Sequence, residues 1–504
     1  MQRGYIATQS NNFAEAAEWF QQAVVENPKD PQPLACLGQS LCWLGRREEG
    51  LAQLRRSGGL LLKKARNTRD VAQALLMVEQ LQHWNDYAGA LELARQLVRI
   101  NAAEVRGFQL LALTYSRLNQ NEEALAAGKQ ALRLLPDNAV LNILQASLEA
   151  ADKQYDVARR RLEKVLRQAL NPEEAYRAHK ELALVLDKLG EYGQVFAHLR
   201  ASTEASARLP AVQAQDAALV PNMLKTNQAE FDAGLLGRWA GAEFPADLPA
   251  PIFVLGFMRS GTTLTQEVLG AHPDVFLADE TDLIVGVAQE LARMLPGLPN
   301  TPQRLRRLDF DGVLHLRRFY WERLRQRFGV AEGKQVFLDK TTMNTIDLGL
   351  INCVFPDAKV VFVMRDPRDV CLSCLMQIMI PTPSTVHLLD WRGTAEFYAQ
   401  TLAWWLHIRQ RLTVPFIEFR YEDAVAEFEP TFRRVFDFLG LPWDPSVAGF
   451  HRRAAGRYVA SPSHSQVAQP LYHSSVARWR HYEPEFAAVS DLLEPFVSAF
   501  GYEA

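Results

Sequence analysis

Residues Gly256-Phe257-Met258-Arg259-Ser260-Gly261-Thr262-Thr263 have the spacing of a phosphate-gripping loop, G-x-x-x-x-G-[K]-[ST], with Thr262 in the lysine's place. The run before it reads as a strand, and Leu264, Val268 and Leu269 after it follow a helical pattern. Strand, loop and helix together turn consecutive backbone N–H groups and the positive helix end toward one point, where an anion can sit. A nucleotide triphosphatase needs the lysine for its β/γ-phosphates and usually a strand-end Asp for Mg²⁺. Neither is present. About a hundred residues on, a second strand-like run ends in Arg365-Asp366-Pro367-Arg368-Asp369, which gives the sheet edge cations rather than a metal-holding carboxylate. A second anion is expected there.

The elements that must position these residues differ between the two ends of the chain. PIFVLGF (251–257), AKVVFVM (358–364) and VPFIEFR (414–420) are short β-branched and aromatic runs, each followed by a helix-like segment. Such alternation predicts a mainly parallel sheet with helices on both faces. Ahead of them the chain repeats itself. Leu111-Ala112, Tyr115, Asn119, Ala124, Ala131 and Pro136 align with Leu37-Gly38, Leu41, Gly45, Gly50 and Ser57, and again with Leu182-Ala183, Leu186, Gly190 and Val195. Units begin near 31, 71, 105, 139 and 176, a period of about 34 that resembles the tetratricopeptide repeat. Small residues at the eighth and twentieth positions let two antiparallel helices approach closely, and a late proline breaks the second. An opening unit keeps Ala16, Ala23 and Pro28 but lacks its first turn, so it reads as a shortened start or as a cap. The expected fold is an all-α tetratricopeptide solenoid of about six units over 1–205, a helical linker over 206–248, and an α/β P-loop-like domain over 249–504.

Composition narrows the function classes. Of 504 residues, 48% are hydrophobic and 22% charged, for a net charge of -3, and the mean hydropathy is -0.14. That is a globular composition, against long disorder. Without a basic excess, nucleic acid is not an expected partner. The N-terminus has no signal-like apolar core and no later apolar run is long enough to span a bilayer, so no membrane span and a cytoplasmic location are expected. Five cysteines are too few for a disulfide framework, and the Cys371/Cys374 pair has no second CxxC to complete a metal site, so both read as packing residues.

Two separate anion sites on one sheet edge resemble the sulfotransferase family, whose donor, 3′-phosphoadenosine-5′-phosphosulfate, carries a phosphosulfate and a distinct 3′-phosphate. PIFVLGFMRSGTTL is similar to the family's 5′-phosphosulfate loop, and VFVMRDPRDVCLS to its 3′-phosphate motif. The resemblance covers roughly 249–504 and extends to the tyrosylprotein sulfotransferase-like branch and to bacterial members that carry tetratricopeptide repeats. It implies Gly256, Arg259, Ser260, Gly261, Thr262, Thr263, Arg365, Ser373, Tyr421 and Arg478 at the donor, with Tyr421 near its nucleoside. AHPDVFLADET puts Glu280 where the branch has a catalytic carboxylate, FLDKTTMN puts Lys340 at a catalytic lysine, and SHSQVAQPLY puts Ser463 at the phosphosulfate. The implied activity is O-sulfuryl transfer without a metal, Glu280 taking the acceptor's proton and Arg259, Lys340 and Arg478 stabilising the leaving phosphate. The implied partners are this donor and a hydroxyl-bearing acceptor: peptide, protein or saccharide.

The chain departs from the pattern at Thr342, where relatives often have proline, and at Ala468 and Gln469, where one branch or the other has a cation. Glu280 also suits a surface helix, and Lys340 and Arg478 suit solvated surfaces. A non-catalytic repeat scaffold with a degenerate sulfotransferase-like module is the alternative function. The repeats either bind a protein partner or only pack on the domain behind them.

Overall fold

The computed structural model describes residues 1–10, 12–279, 281–328, 336–455, 467, 471 and 475–503. They form two compact units, Met1–Glu174 with Arg323–Val330, and Ala175–Glu322 with Ala331–Ala504. No helix among them is long and apolar enough to cross a membrane.

The first unit is a series of helical hairpins, such as Val105–Arg117 with Asn121–Leu134 and Ala139–Ala151 with Tyr155–Val165. The turn inside each hairpin needs one left-handed residue. Asn85, Asn119 and Lys153 supply it at φ of 59°, 57° and 62°, and they fall 34 residues apart. Gly45 does the same at 82°, and its relief from Cβ crowding is why glycine suits such a turn. Small residues set the helix spacing: a Cβ on Gly50 would lie 2.6 Å from the Gly38 carbonyl across the pair. Ala90, Ala94, Ala112, Ala124 and Ala158 are fully buried in the same way.

The second unit opens with one more hairpin, Pro172–Leu189 and Tyr192–Ser206, turned at Gly190 with φ 77°. Its core is a five-stranded sheet of β1 (Ile252–Gly256), β2 (Val275–Asp279), β3 (Val336–Lys340), β4 (Lys359–Met364) and β5 (Phe416–Arg420). The order is β2-β3-β1-β4-β5 with every pairing parallel. A parallel sheet must be covered on both faces, and β1, buried throughout, shows how. Ile252 and Val254 join Leu264 and Val268 of the helix Thr262–Gly270 and Phe432 and Val435 of the helix Phe428–Leu439. Phe253 meets Phe355 instead, and Phe362 of β4 stacks on Trp405 at 3.7 Å. The helix Trp391–Ile408 that carries Trp404 and Trp405 is therefore core, and the indole N–H groups donate to Thr345 O and Glu418 Oε1 at 3.0 and 2.8 Å. Cys371 and Cys374 are likewise buried. Burial lifts the Cys374 thiol to about 12, so it stays protonated.

Candidate active site

The chain reverses direction along the sheet at β1: β2 and β3 lie on one side of it, β4 and β5 on the other. Ligands of open parallel sheets bind beyond the strands' carboxyl ends at such a point. The loop leaving β1 there is tightly specified. A Cβ on Gly256 would sit 2.7 Å from Val363 O and from Ser260 Oγ. The Thr345 hydroxyl braces the turn, accepting from Gly256 N at 3.1 Å and donating to Gly256 O at 2.7 Å. Arg259 at φ 68° and Gly261 at φ 107° bend the chain into the helix Thr262–Gly270. The N-cap residue of that helix is Gly261, which has no side chain to cap it. Helices whose first N–H groups lack a side-chain cap need another acceptor there.

The side chains at this point fall into one cluster. Arg365, just past β4, donates from its two terminal nitrogens to Arg259 O at 3.0 Å and Ser475 O at 2.5 Å, and lies over the Tyr421 ring at 5.0 Å. Arg259 Nε donates to Ser373 Oγ at 3.1 Å. Ser373 rides the helix Pro367–Leu375, started by the Asp366 side chain accepting from Arg368 N. Tyr421 hydrogen-bonds Ser475 through its hydroxyl, and its ring fills the space that a Cβ on Gly261 would need, 2.6 Å away. Thr263 is buried beside Thr262. Ser260 Oγ and Arg365 Nε are buried and find no hydrogen-bond partner among the described residues. These features fit a ligand with two anionic ends: an uncapped helix start, a glycine cradle and two orphaned buried polar atoms on different segments.

Of the two arginines in RDPRD, only Arg365 belongs to the cluster. Arg368 is forked onto Asp366 at 2.9 and 3.0 Å, caps the Glu503 carbonyl and lies 3.7 Å over Trp479, so its role is structural. Asp369 accepts from Trp479 N at 2.9 Å. Burial raises its carboxyl to about 6, against the lowering pull of Arg365.

On the other side of β1, Lys340 ends β3 almost fully buried, and the register pairs it with Asp279, the last residue of β2. Glu280 follows Asp279 but lies outside the described residues, as do Ser463, Ala468 and Gln469. Thr281, the next described residue, is anchored by the elements beside it. Asp339 accepts from Thr281 Oγ1 at 3.1 Å and Tyr320 OH at 2.8 Å, while Thr341 Oγ1 donates to Thr281 O at 2.6 Å. Burial lifts the Asp339 carboxyl to about 6, opposed by those two hydrogen bonds. Thr342 answers Thr262: their hydroxyls lie 2.9 Å apart. The side chain in the lysine's place is thereby engaged, and it is Thr342, the other departure from the resemblance, that engages it.

Residues 251–445 match the model of the sulfotransferase family, and 105–138 match a tetratricopeptide repeat model. Apart from Arg323–Val330, the first match falls within the second unit, which is similar to the sulfotransferase family. An uncharacterised protein of Aquifex aeolicus is 26% identical over 441 residues, which is 86% of this chain and 56% of that one. This chain thus spans little more than half of that relative's length. Protein-tyrosine sulfotransferase A of Caenorhabditis elegans is 24% identical over 279 residues, covering 50% of this chain and 67% of its own. A solved sulfotransferase domain from the curacin biosynthetic pathway is 17% identical, with TM-score 0.36, over 51% of this chain and 98% of that domain.

Arg478 stands apart from the cluster. It begins the short helix Arg478–Tyr482, and its guanidinium is forked on Asp187, Nε to Oδ1 at 3.0 Å and Nη2 to Oδ2 at 2.7 Å, with Met376 Sδ 2.8 Å from Nη2. Asp187 and Ser475 are absent from the sequence-derived site. Ser475 acts partly through its backbone, which no side-chain pattern reports. Asp187 had one signal: it stands seven residues after Lys180, two charges at a heptad spacing on a helix whose neighbours Ala183 and Leu186 are core.

Proposed function

We propose that this chain transfers a sulfuryl group from 3′-phosphoadenosine-5′-phosphosulfate to a hydroxyl of a peptide tyrosine, a saccharide or another acceptor. Ser260 Oγ and Arg365 Nε carry the proposal, being buried and unpartnered among the described residues on the two segments that the sequence marks for anions. Leaving a buried polar group unpaired costs about 1–3 kcal/mol, a penalty that ligand oxygens remove. When bound, the donor supplies an activated sulfuryl group whose leaving side is a phosphate.

The chain's own residues divide the remaining work. Ser260, Gly261, Thr262 and Thr263 hold the phosphosulfate at the helix start, with Gly256 keeping the turn close to β4. Arg365 and Ser373 take the 3′-phosphate, and Tyr421 flanks the nucleoside. Glu280 accepts the proton of the acceptor hydroxyl. Lys340, Arg259, Arg478 and Ser463 offset the charge that develops on the leaving phosphate, the place that Mg²⁺ and arginine clamps fill in phosphoryl transfer. The repeat array offers a face for a protein partner or a protein acceptor.

Calorimetry with 3′-phosphoadenosine-5′-phosphate, compared with ATP and Mg²⁺, tests the donor. Binding of ATP alone would sink the proposal. Glu280→Gln should bind the product nucleotide as the wild type does and lose sulfation of a mixed peptide and saccharide panel by about 10²-fold or more. A retained rate refutes Glu280 as the base.

A further inference from the structure

The helix Pro172–Leu189 has the repeat pattern, yet two of its charged residues are buried against the sulfotransferase-family domain. Asp187 receives the forked Arg478 and also Tyr482 OH at 2.6 Å. Lys180, with no exposed surface, donates from Nζ to Leu375 O at 2.5 Å. That carbonyl ends the helix that carries Ser373, so the ammonium sits at the negative end of its dipole. Aromatic contacts extend the grip: Tyr192, at the start of the hairpin's second helix, stacks on His481 at 4.1 Å, and Phe196 contacts Tyr482 at 5.5 Å. From the other side Asp369 accepts from Trp479 N. The segment Arg478–Tyr482 is thus held between this hairpin and the residues next to Arg365.

The energetics do not favour such a pair for stability alone. The Asp187 side chain is 5% exposed and that of Arg478 22%, and taking two charges out of water commonly offsets what their attraction returns. What a forked pair does provide is a fixed guanidinium plane. We propose that Asp187 is a positioning residue for sulfuryl transfer, holding Arg478 for the donor's 5′-phosphate and making this hairpin part of the donor site. The inference rests on the sulfotransferase reading and extends it to a helix that sequence assigns to the repeats.

Nucleotide-binding measurements on the full chain test it. Asp187→Ala should weaken binding of 3′-phosphoadenosine-5′-phosphate about tenfold, the scale of coupling between charges in contact. Binding of 3′-AMP, which lacks the 5′-phosphate, should stay within about twofold, because Arg365 and Ser373 are untouched. In an Arg478→Ala background the same change should add no further loss for either nucleotide. Asp187→Asn, nearly isosteric and less prone to disturb folding, should move the first affinity in the same direction by a smaller factor. Equal weakening of both nucleotides by Asp187→Asn would mark a merely structural contact and overturn the proposal. Tighter binding in Asp187→Ala would overturn it too, since Asp187 would then be withholding Arg478. A wild type that binds neither nucleotide overturns the sulfotransferase reading and this inference together. A wild type that binds both, with Asp187→Ala indistinguishable from it, overturns the inference alone.

Discussion

Replacing Arg365, a residue 8% exposed, with alanine removes a guanidinium that is already held in place. Two carbonyls, Arg259 O and Ser475 O, and the face of Tyr421 fix its plane in the free chain, so little side-chain freedom is left to lose when an anion arrives. Its Nε has no partner among the described residues. Hydrogen bonds to charged groups are worth about 1.5–3 kcal/mol and tenfold in affinity is about 1.4 kcal/mol, so the substitution should weaken product-nucleotide binding by roughly 10- to 150-fold. Arg365→Lys keeps the charge and loses the planar fork, so it should fall between the two. Calorimetry at pH 7 with 3′-phosphoadenosine-5′-phosphate, 3′-AMP and 5′-AMP reads out which phosphate is involved. The two nucleotides with a 3′-phosphate should weaken together and 5′-AMP should hold. If 5′-AMP weakens as much as 3′-AMP, Arg365 is not a 3′-phosphate residue and the division of the site along the sheet is wrong.

Gly261→Ala places a Cβ at φ 107° and 2.6 Å from the Tyr421 ring; strain of about 1–3 kcal/mol at such a position should reduce nucleotide binding at least about fivefold while far-ultraviolet dichroism is unchanged. Undiminished affinity would show that the loop does not grip the donor through its backbone. Lys180→Met tests the buried ammonium through pH. Burial lowers the Lys180 pKa from 10.5 to about 8, so between those values the unfolded chain holds a proton that the folded chain has released. Stability therefore rises with pH across that window. The wild-type melting temperature should climb relative to that of Lys180→Met between pH 7.5 and 10, and parallel curves would refute the buried position of the group.

The strand, loop and helix from 252 to 270 were legible because their determinants are local. Glycines at 256 and 261, the threonines behind them and the preceding strand stand within a dozen residues, and each has a backbone reason to be there. RDPRD was legible as a cationic strand end, and the resemblance singled out Arg365, but the residues alone did not say which arginine would fold back on a neighbour. Arg368 folds back on Asp366 two residues away, whereas Arg365 reaches carbonyls at positions 259 and 475. Periodicity also reported the hairpin from 172 to 206 correctly as a hairpin, with its left-handed Gly190. It did not report what the hairpin packs on, because a 34-residue pattern specifies helix spacing and says nothing of a distant charge. Asp187 and Arg478 are 291 residues apart, and neither sequence neighbourhood marks the other. The Thr262 and Thr342 hydroxyl pair was hidden for the same reason, each residue looking like a separate departure.

The strand order has a consequence for how such a domain can be recombined. Among the described residues, β2, Thr281, Tyr320, β3 with Asp339, and Thr341 all fall between 275 and 341 in the chain, and both strands lie on one side of β1. Everything assigned to the 3′-phosphate comes from β4 onward on the other side. The two stretches are stitched to the loop after β1 by Thr342 onto Thr262 and Thr345 onto Gly256. Residues 275–322 and 336–345 therefore belong together, while the stretch Arg323–Val330 between them groups with the first unit. Grafting these stretches from a relative would carry the proposed base, Glu280, and the residues around it across together, provided both hydroxyl stitches went with them.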